Sequence, residues 1–162
     1  MNVEIVRVQL GQKPILRNLL EFYEYDFSEY TQRDVNSSGT FEYKYLDYYW
    51  MEANRYPFFI KLKQKYIGFA LIRKVIIKKE SYYSVAEFFI LKKYRRKKHG
   101  RNAAFKLFRL FKGKWCIHQF ERNEPSQIFW RKVIAEFTSD NYEEQSQTET
   151  HYDGPCQIFE VR

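Results

Sequence analysis

Residues 82–104 run a strand that is apolar on both faces straight into a basic turn and then into a glycine-led helix. The strand reads Tyr82 to Leu91, and its VAEFFIL segment is apolar on both sides apart from Glu87. Such a strand belongs at the centre of a sheet and not at its edge. The turn follows at once as Lys92-Lys93-Tyr94-Arg95-Arg96-Lys97-Lys98-His99-Gly100. Helical periodicity then holds from about Gly100 to Phe111, with Ala104, Leu107, Phe108 and Phe111 on the buried stripe and Arg101, Lys106, Arg109 and Lys112 largely off it. A helix start presents unpaired N–H groups and the positive end of the helix dipole. Gly100 lets a ligand approach the backbone, while Ala103 and Ala104 let the first turn pack tightly. The junction suits a diphosphate, with ~0.3–2 kcal/mol from the dipole alone.

Charge supports the same place. The chain carries a net +8, yet eleven of its 28 Lys/Arg and none of its 20 acids fall between Lys92 and Lys114. The remainder is slightly acidic, with 17 basic against 20 acidic residues. The basicity is therefore one local anion-binding feature, whereas a nucleic-acid coat spreads its charge over a broad face. Aromatic residues at 20% exclude a disordered chain. The 162 residues fit a single domain, 1–162, because two halves would have no linker between them. No apolar run approaches the roughly 18–20 residues of a membrane helix, and the N-terminus has no signal-peptide core, so a cytoplasmic location is expected. Cys116 and Cys156 make no disulfide framework. No CxxC or Cys/His spacing suggests zinc, so metal dependence is not expected.

Along the chain, residues 2–8 read as a first strand, and Ile15, Leu16, Leu19, Leu20 and Tyr23 predict a helix over about Lys13 to Tyr25. Residues 26–55 mix aromatics with acids, with a turn at Asn36 to Gly39 and a short helix over Tyr45 to Met51. Here the substrate-facing wall is expected, with Asp26, Glu29, Asp47 and Tyr48 as a cation-accepting surface. Tyr56–Leu62, Tyr66–Ile77 and Tyr82–Leu91 predict an antiparallel meander, since only short turns separate them. A strand over Trp115–His118, a helix over Pro125–Ile134 with Asn123 near its cap, and a strand over Cys156–Val161 complete the reading.

The segment Arg95-Arg96-Lys97-Lys98-His99-Gly100 resembles the Arg/Gln-x-x-Gly-x-Gly/Ala signature of the GNAT superfamily of acyl-CoA-dependent N-acyltransferases. Gly100 matches the second glycine, and Lys98 replaces the first. Downstream, Asn123-Glu124-Pro125-Ser126-Gln127-Ile128-Phe129-Trp130 is similar to the family's Asn-x-x-Ala-x-x-aromatic-aromatic element. The order of elements resembles the family over roughly residues 1–137. The resemblance implies an α/β fold with a mixed, mostly antiparallel central sheet flanked by helices and splayed at its central strand. It implies acetyl-CoA as acyl donor, lying in that gap. Phe88, Phe89 and Ile90 would pair with the pantetheine arm. Arg95, Arg96, Lys97, Lys98, His99, Gly100 and Arg101 would hold the pyrophosphate, and Asn123 would touch the cofactor. A backbone N–H near Ile90 would serve the oxyanion, and Glu87 would be the base or amine-binding carboxylate. The family's proton-donating Tyr falls on Trp130, whose indole is no acid, so the general acid has no assigned residue.

Blander roles compete at each position. Glu87 could equally pair with a neighbouring-strand Lys, His99 could be a surface residue, and His118 a core histidine. Cys116 is a poor nucleophile for want of an activating pattern, and Phe129 and Trp130 suit the core. Three functions are consistent with the chain. The first is an N-acetyltransferase acting on a primary amine, cationic if the acidic remainder guides encounter. The second is a basic nucleic-acid-binding module, and the third a GNAT-like domain that binds acyl-CoA without catalysis. The nucleic-acid reading explains neither the glycine–helix junction nor the Asn-led element. A homodimer is compatible with all three.

Overall fold

The computed structural model describes residues 2–147 and 153–162, so part of the acidic tail read from Asn141 onward lies outside the described residues. Two two-residue turns set the register of its sheet. Lys63-Gln64 joins β2 (Arg55–Leu62) to β3 (Lys65–Ile77), and Lys78-Lys79 joins β3 to β4 (Glu80–Ile90). All four turn residues are left-handed, with φ of 47°, 65°, 49° and 68°. That conformation matches the twist of a tight hairpin but costs a non-glycine residue about 1–2 kcal/mol. Long antiparallel ladders on either side offset the cost. The expected meander is present.

β1 (Glu4–Arg7) pairs with β2, and β5 (Gly113–His118), β6 (Glu143–Gln147) and β7 (Asp153–Val161) complete seven strands in the order β1-β2-β3-β4-β5-β7-β6. Every pairing is antiparallel except β4 with β5. The doubly apolar strand stands at the centre, as its composition requires. β6 was not anticipated, because Glu-Glu-Gln-Ser-Gln offers no apolar alternation, and it pairs along one edge of β7. β4 also begins earlier than expected and takes in Glu80, so Glu87 is not the strand's sole acid. Glu80 sits at the exposed end and pairs with Lys114 at 2.7 Å.

Each face of the sheet carries its own helices. α1 (Lys13–Thr31) and α2 (Tyr48–Met51) cover one face, where Leu16, Leu19, Leu20 and Tyr49 pack with Phe59, Phe69, Leu71 and Phe89. α1 outruns its predicted end because the stripe continues, with Phe27 stacked on Tyr23 at 5.3 Å and Tyr30 against Phe27 at 5.7 Å. α3 (His99–Leu110) and α4 (Glu124–Thr138) cover the other face, packing Ala103, Ala104, Leu107, Val133 and Ile134 on Phe58, Ile72 and Trp115. α4 continues past Ile134 because Phe137 packs at 5.0 Å on both Phe105 and Phe108. Among the described residues, no helix is long and apolar enough to cross a membrane.

Two close approaches shape β4. A bulge separates the pairs Glu87↔Leu71 and Val85↔Ile72, leaving Ala86 without a partner on β3. Val85 consequently packs with the α3/α4 face while Phe89 packs with the α1 face, although the two lie four residues apart. A straight strand would put them on the same side. Further along, Gly68 crosses β4 so closely that a Cβ there would meet the Phe89 carbonyl oxygen at 2.0 Å. Gly68→Ala should therefore pry β3 from β4 and lower the unfolding free energy by about 1–3 kcal/mol or more. Denaturant titration checks this, and an unchanged midpoint would mean that the two strands are not held at this separation.

Candidate functional site

β4 and β5 touch at a single register pair, Tyr83↔Trp115, and then part. The Trp115 ring fixes this contact from below: it is fully buried, lies 5.0 Å from Phe108 and 5.7 Å from Tyr83, and stacks on Phe159 at 6.2 Å. Beyond the contact, Val85 to Phe88 keep partial exposure in a strand otherwise central to the sheet. Alternate residues of this stretch turn their N–H and C=O groups toward a neighbour that has moved away. The result is a groove with main-chain hydrogen-bonding groups along one wall. Such a wall can pair with an extended amide-bearing chain.

The groove leads to the basic turn. Leu91 N–H donates to the Ile67 carbonyl at 2.8 Å, and one tight turn over Lys92–Tyr94 follows. Arg96 and Lys98 then adopt left-handed φ values of 59° and 63°. Two such residues cost about 1–2 kcal/mol each. Left-handed residues preceding a helix gather successive N–H groups into an anion-binding concavity. Lys98 thus takes, with a side chain attached, a conformation usual for glycine. α3 starts at the next residue without a side-chain cap, and the first amide of the helix seen to bond backward is Asn102, to the Lys98 carbonyl at 2.9 Å. Among the described residues, no polypeptide acceptor occupies the amides of His99, Gly100 and Arg101.

The predicted residues at this turn divide into two groups. Arg96, Lys97 and Lys98 are exposed, and no ion pair is seen for them among the described residues. Arg95 is instead bound within the fold: its Nε donates to the Ile90 carbonyl at 2.7 Å and its guanidinium meets Asp26 of α1 at 2.6 Å. Arg101 pairs with Glu136 of α4, its Nε at 2.8 Å. Gly100 is tight on its inner side, since a Cβ there would lie 3.3 Å from the Phe129 ring. The Asn123 side chain caps α4 by accepting from Ser126 N–H at 3.1 Å. Phe88 lies against Phe129 at 5.8 Å and Trp130 at 5.1 Å, and Trp130 is a core residue. His99 packs at 6.3 Å from Tyr94.

Three of the four groups expected to form the acidic wall are engaged within the fold, and Glu29 alone of them stays exposed with no ion pair seen among the described residues. Asp26 is taken by Arg95 and Lys92, Asp47 pairs with Lys13, and Tyr48 lies under the Arg55 guanidinium at 5.6 Å. Cations brought in from other elements of the fold, Lys13, Lys92, Arg95 and Arg55, reach these groups first. Glu87, on this face of the sheet, is held instead by hydroxyls: by Tyr23 from α1 and by Tyr43 at 3.1 Å from the following loop. The Lys partner considered for Glu87 is thereby replaced by two phenols. The loop that brings Tyr43 is tied to α1, since Glu21 accepts the N–H groups of Phe41 and Glu42 at 2.9 and 3.0 Å. Sequence reasoning missed both phenols, yet one signal was present. Tyr23 lies on the apolar stripe of α1, and a tyrosine buried there must find a partner for its hydroxyl.

Burial pushes the Glu87 carboxyl up to about 7, against the opposing pull of the two tyrosine hydrogen bonds and the Arg73 charge. Burial and the adjacent carboxylate push both phenols up as well, so each keeps its proton and donates. A carboxyl raised in the folded state favours folding while protonated. Its stabilisation is complete below the ordinary value near 4.5 and is lost as pH rises through about 7. Glu87→Gln should flatten that part of the stability–pH curve, leaving the variant relatively more stable above pH ~7 than the parent. Chemical denaturation between pH ~5 and ~8 measures it, and parallel curves would place the Glu87 carboxyl at its ordinary value.

The architecture has many solved counterparts. An acetyltransferase from Thermus thermophilus superposes with a TM-score of 0.76 at 10% identity, covering 99% of this chain and 98% of its own. The PaiA N-acetyltransferase from Thermoplasma acidophilum, solved in complex with coenzyme A, gives 0.65 at 10% identity over 99% and 100%. The aminoglycoside acetyltransferase AAC(6')-Ib, also in complex with coenzyme A, gives 0.69 at 15% identity over 98% and 95%. At these identities the likeness shows the fold. No curated protein matches the chain. Sequence supplies the family: the Acetyltransferase (GNAT) family profile matches residues 16–134, spanning the groove, the basic turn and most of the Asn-led helix, and the chain belongs to that family.

Proposed function

We propose that the protein, acting as one domain over residues 1–162, is an N-acetyltransferase that moves an acetyl group from acetyl-CoA to a primary amine of a small molecule or protein. The observation that carries the reading is the placement of Glu87. It projects from the strand that forms the groove wall, on the face opposite α3 and α4, three residues before that strand reaches the phosphate turn. Donor and base would thus be arranged along one rigid element.

In this reading the main chain of Phe88, Phe89 and Ile90 pairs with the amide-bearing arm of the donor. The amides at His99, Gly100 and Arg101, with the exposed charges of Arg96, Lys97 and Lys98, hold its pyrophosphate. Arg95 shapes the turn from within, and among the described residues no acceptor is seen for the Asn123 amide group beside its capping oxygen. An alkyl ammonium with pKa near ~10.4 must lose a proton before it can attack. A carboxyl raised to about 7 takes that proton more readily than an ordinary one. The amine nitrogen then bonds to the thioester carbon, the oxygen gathers charge near a β4 N–H, and the carbon–sulfur bond breaks to release coenzyme A as the thiol once protonated. Holding the two reactants together supplies several kcal/mol without a covalent enzyme intermediate. The solved counterparts include an aminoglycoside acetyltransferase, so the fold accommodates a polyamine-bearing acceptor elsewhere.

Steady-state assays of free coenzyme A release across a panel of amines test the proposal. Glu87→Gln should lower kcat by ~10²-fold or more while leaving acetyl-CoA affinity within about threefold. In the parent, kcat/KM should rise with pH through about 7. Unchanged turnover removes Glu87 from the mechanism. Binding of coenzyme A without release on any amine favours a non-catalytic domain. Thermal protection by oligonucleotides with a steep salt dependence, and none by coenzyme A, favours the nucleic-acid module.

A further inference from the structure

We infer that β5 and β7 form a three-ligand site for a zinc-like transition-metal ion, built from Cys116, His118 and Cys156. His118 stands directly opposite Cys156 in the antiparallel ladder, and Cys116 lies two residues before His118, so all three share a face. That face is opposite the one bearing Trp115, Ile117 and Phe159, which pack toward α3 and α4. It is the face of the sheet that carries Glu87. Both cysteines are almost wholly buried, at 1% and 0% exposure, yet they join neither apolar cluster. Their sulfurs and one His118 ring nitrogen lie within 4.8 Å of one another, and Cys116 Sγ stands 3.4 Å from His118 Nε2.

These separations suit a shared ion. Tetrahedral zinc with bonds of about 2.3 Å to sulfur and 2.0–2.1 Å to nitrogen sets ligand edges of about 3.8 Å for S···S and about 3.5 Å for S···N. Two thiolates and a neutral imidazole also cancel the charge of a divalent ion, which a buried position demands. Soft sulfur with imidazole selects zinc or copper(I) over magnesium or calcium. A disulfide fits less well. Cys116 is opposed by Ile158 and not by Cys156, so the cysteines are diagonal neighbours. Diagonal partners stand about 7–8 Å apart, beyond the usual 4.4–6.8 Å Cα range of a disulfide. The sequence concealed the site because its third ligand comes from a separate strand, outside any zinc-finger spacing.

Such an ion pins β5 to β7 along the wall of the groove that faces β4, with the fourth position left to water. The reduced, metal-stripped full chain should bind about one Co²⁺, with a thiolate-to-cobalt charge-transfer band in the near ultraviolet that Zn²⁺ abolishes. Zn²⁺ should also raise the melting temperature of the parent more than that of His118→Gln. His118→Gln, at a partly exposed position, should weaken Co²⁺ binding by at least about tenfold. The Cys116→Ser/Cys156→Ser variant should lose the charge-transfer band. Absence of the band in the parent, equal affinity in His118→Gln, or isolation of the parent with the two cysteines joined to each other would each overturn the inference. Should the double variant fail to fold, the melting shift and His118→Gln still decide.

Discussion

The divergence of β4 from β5 is the constraint on which everything functional here depends. A central strand normally satisfies its main chain on both sides, and an unpaired buried amide or carbonyl costs as much as a lost hydrogen bond. This fold leaves half of one such strand open and compensates around it. Trp115 anchors the single contact with rings from α3, β4 and β7 on its sides. On the other edge, Gly68 lets β3 approach β4 more closely than any side chain would permit. The groove is therefore held rigid by packing on both flanks, and its exposed main chain is a permanent feature of the native state.

The basic turn shows how a cluster of like charges is made useful. Six cations within seven residues repel one another, and an exposed ion pair contributes only about 0–1 kcal/mol to stability. Arg95 does more than pair, because it joins the Ile90 carbonyl, Asp26 of α1 and the Phe89 ring in one arrangement. Strand end, turn and first helix are fixed together by that one side chain. The charges of Arg96, Lys97 and Lys98 are left pointing outward beside the uncapped start of α3. Strained left-handed backbone at Arg96 and Lys98 belongs with the same arrangement, since strain of this kind persists only where the surroundings over-determine it.

Much of this was legible from residue order. The centrality of β4 followed from its double-sided apolar pattern, the meander from short turns, and the helix start from Gly100 and the alanines behind it. These are local properties, and burial enforces them wherever one face must meet a core. The longer reach of α1 and α4 was not read, because it is supported by rings from elsewhere in the chain, Phe120 against Phe27 of α1 and Phe105 and Phe108 against Phe137 of α4. Most of the expected acidic wall is engaged within the fold for a related reason. Asp26 and Asp47 looked available in a list of residues, but cations brought close by folding neutralise them.

What the amino-acid order determined alone is the succession of central strand, basic turn and glycine-led helix start, because its three parts are contiguous in the chain. What only the tertiary structure decided is the environment of Glu87 and of the cysteines. The bulge at Ala86 breaks the two-residue alternation of β4, which otherwise links the facing of Val85 to that of Phe89. Tyr23 and Tyr43 come from different segments to enclose the carboxylate. Cys156 likewise meets Cys116 and His118 only across a strand pairing. Contacts between segments far apart in the chain follow from register and packing, and no local pattern of residue types encodes them.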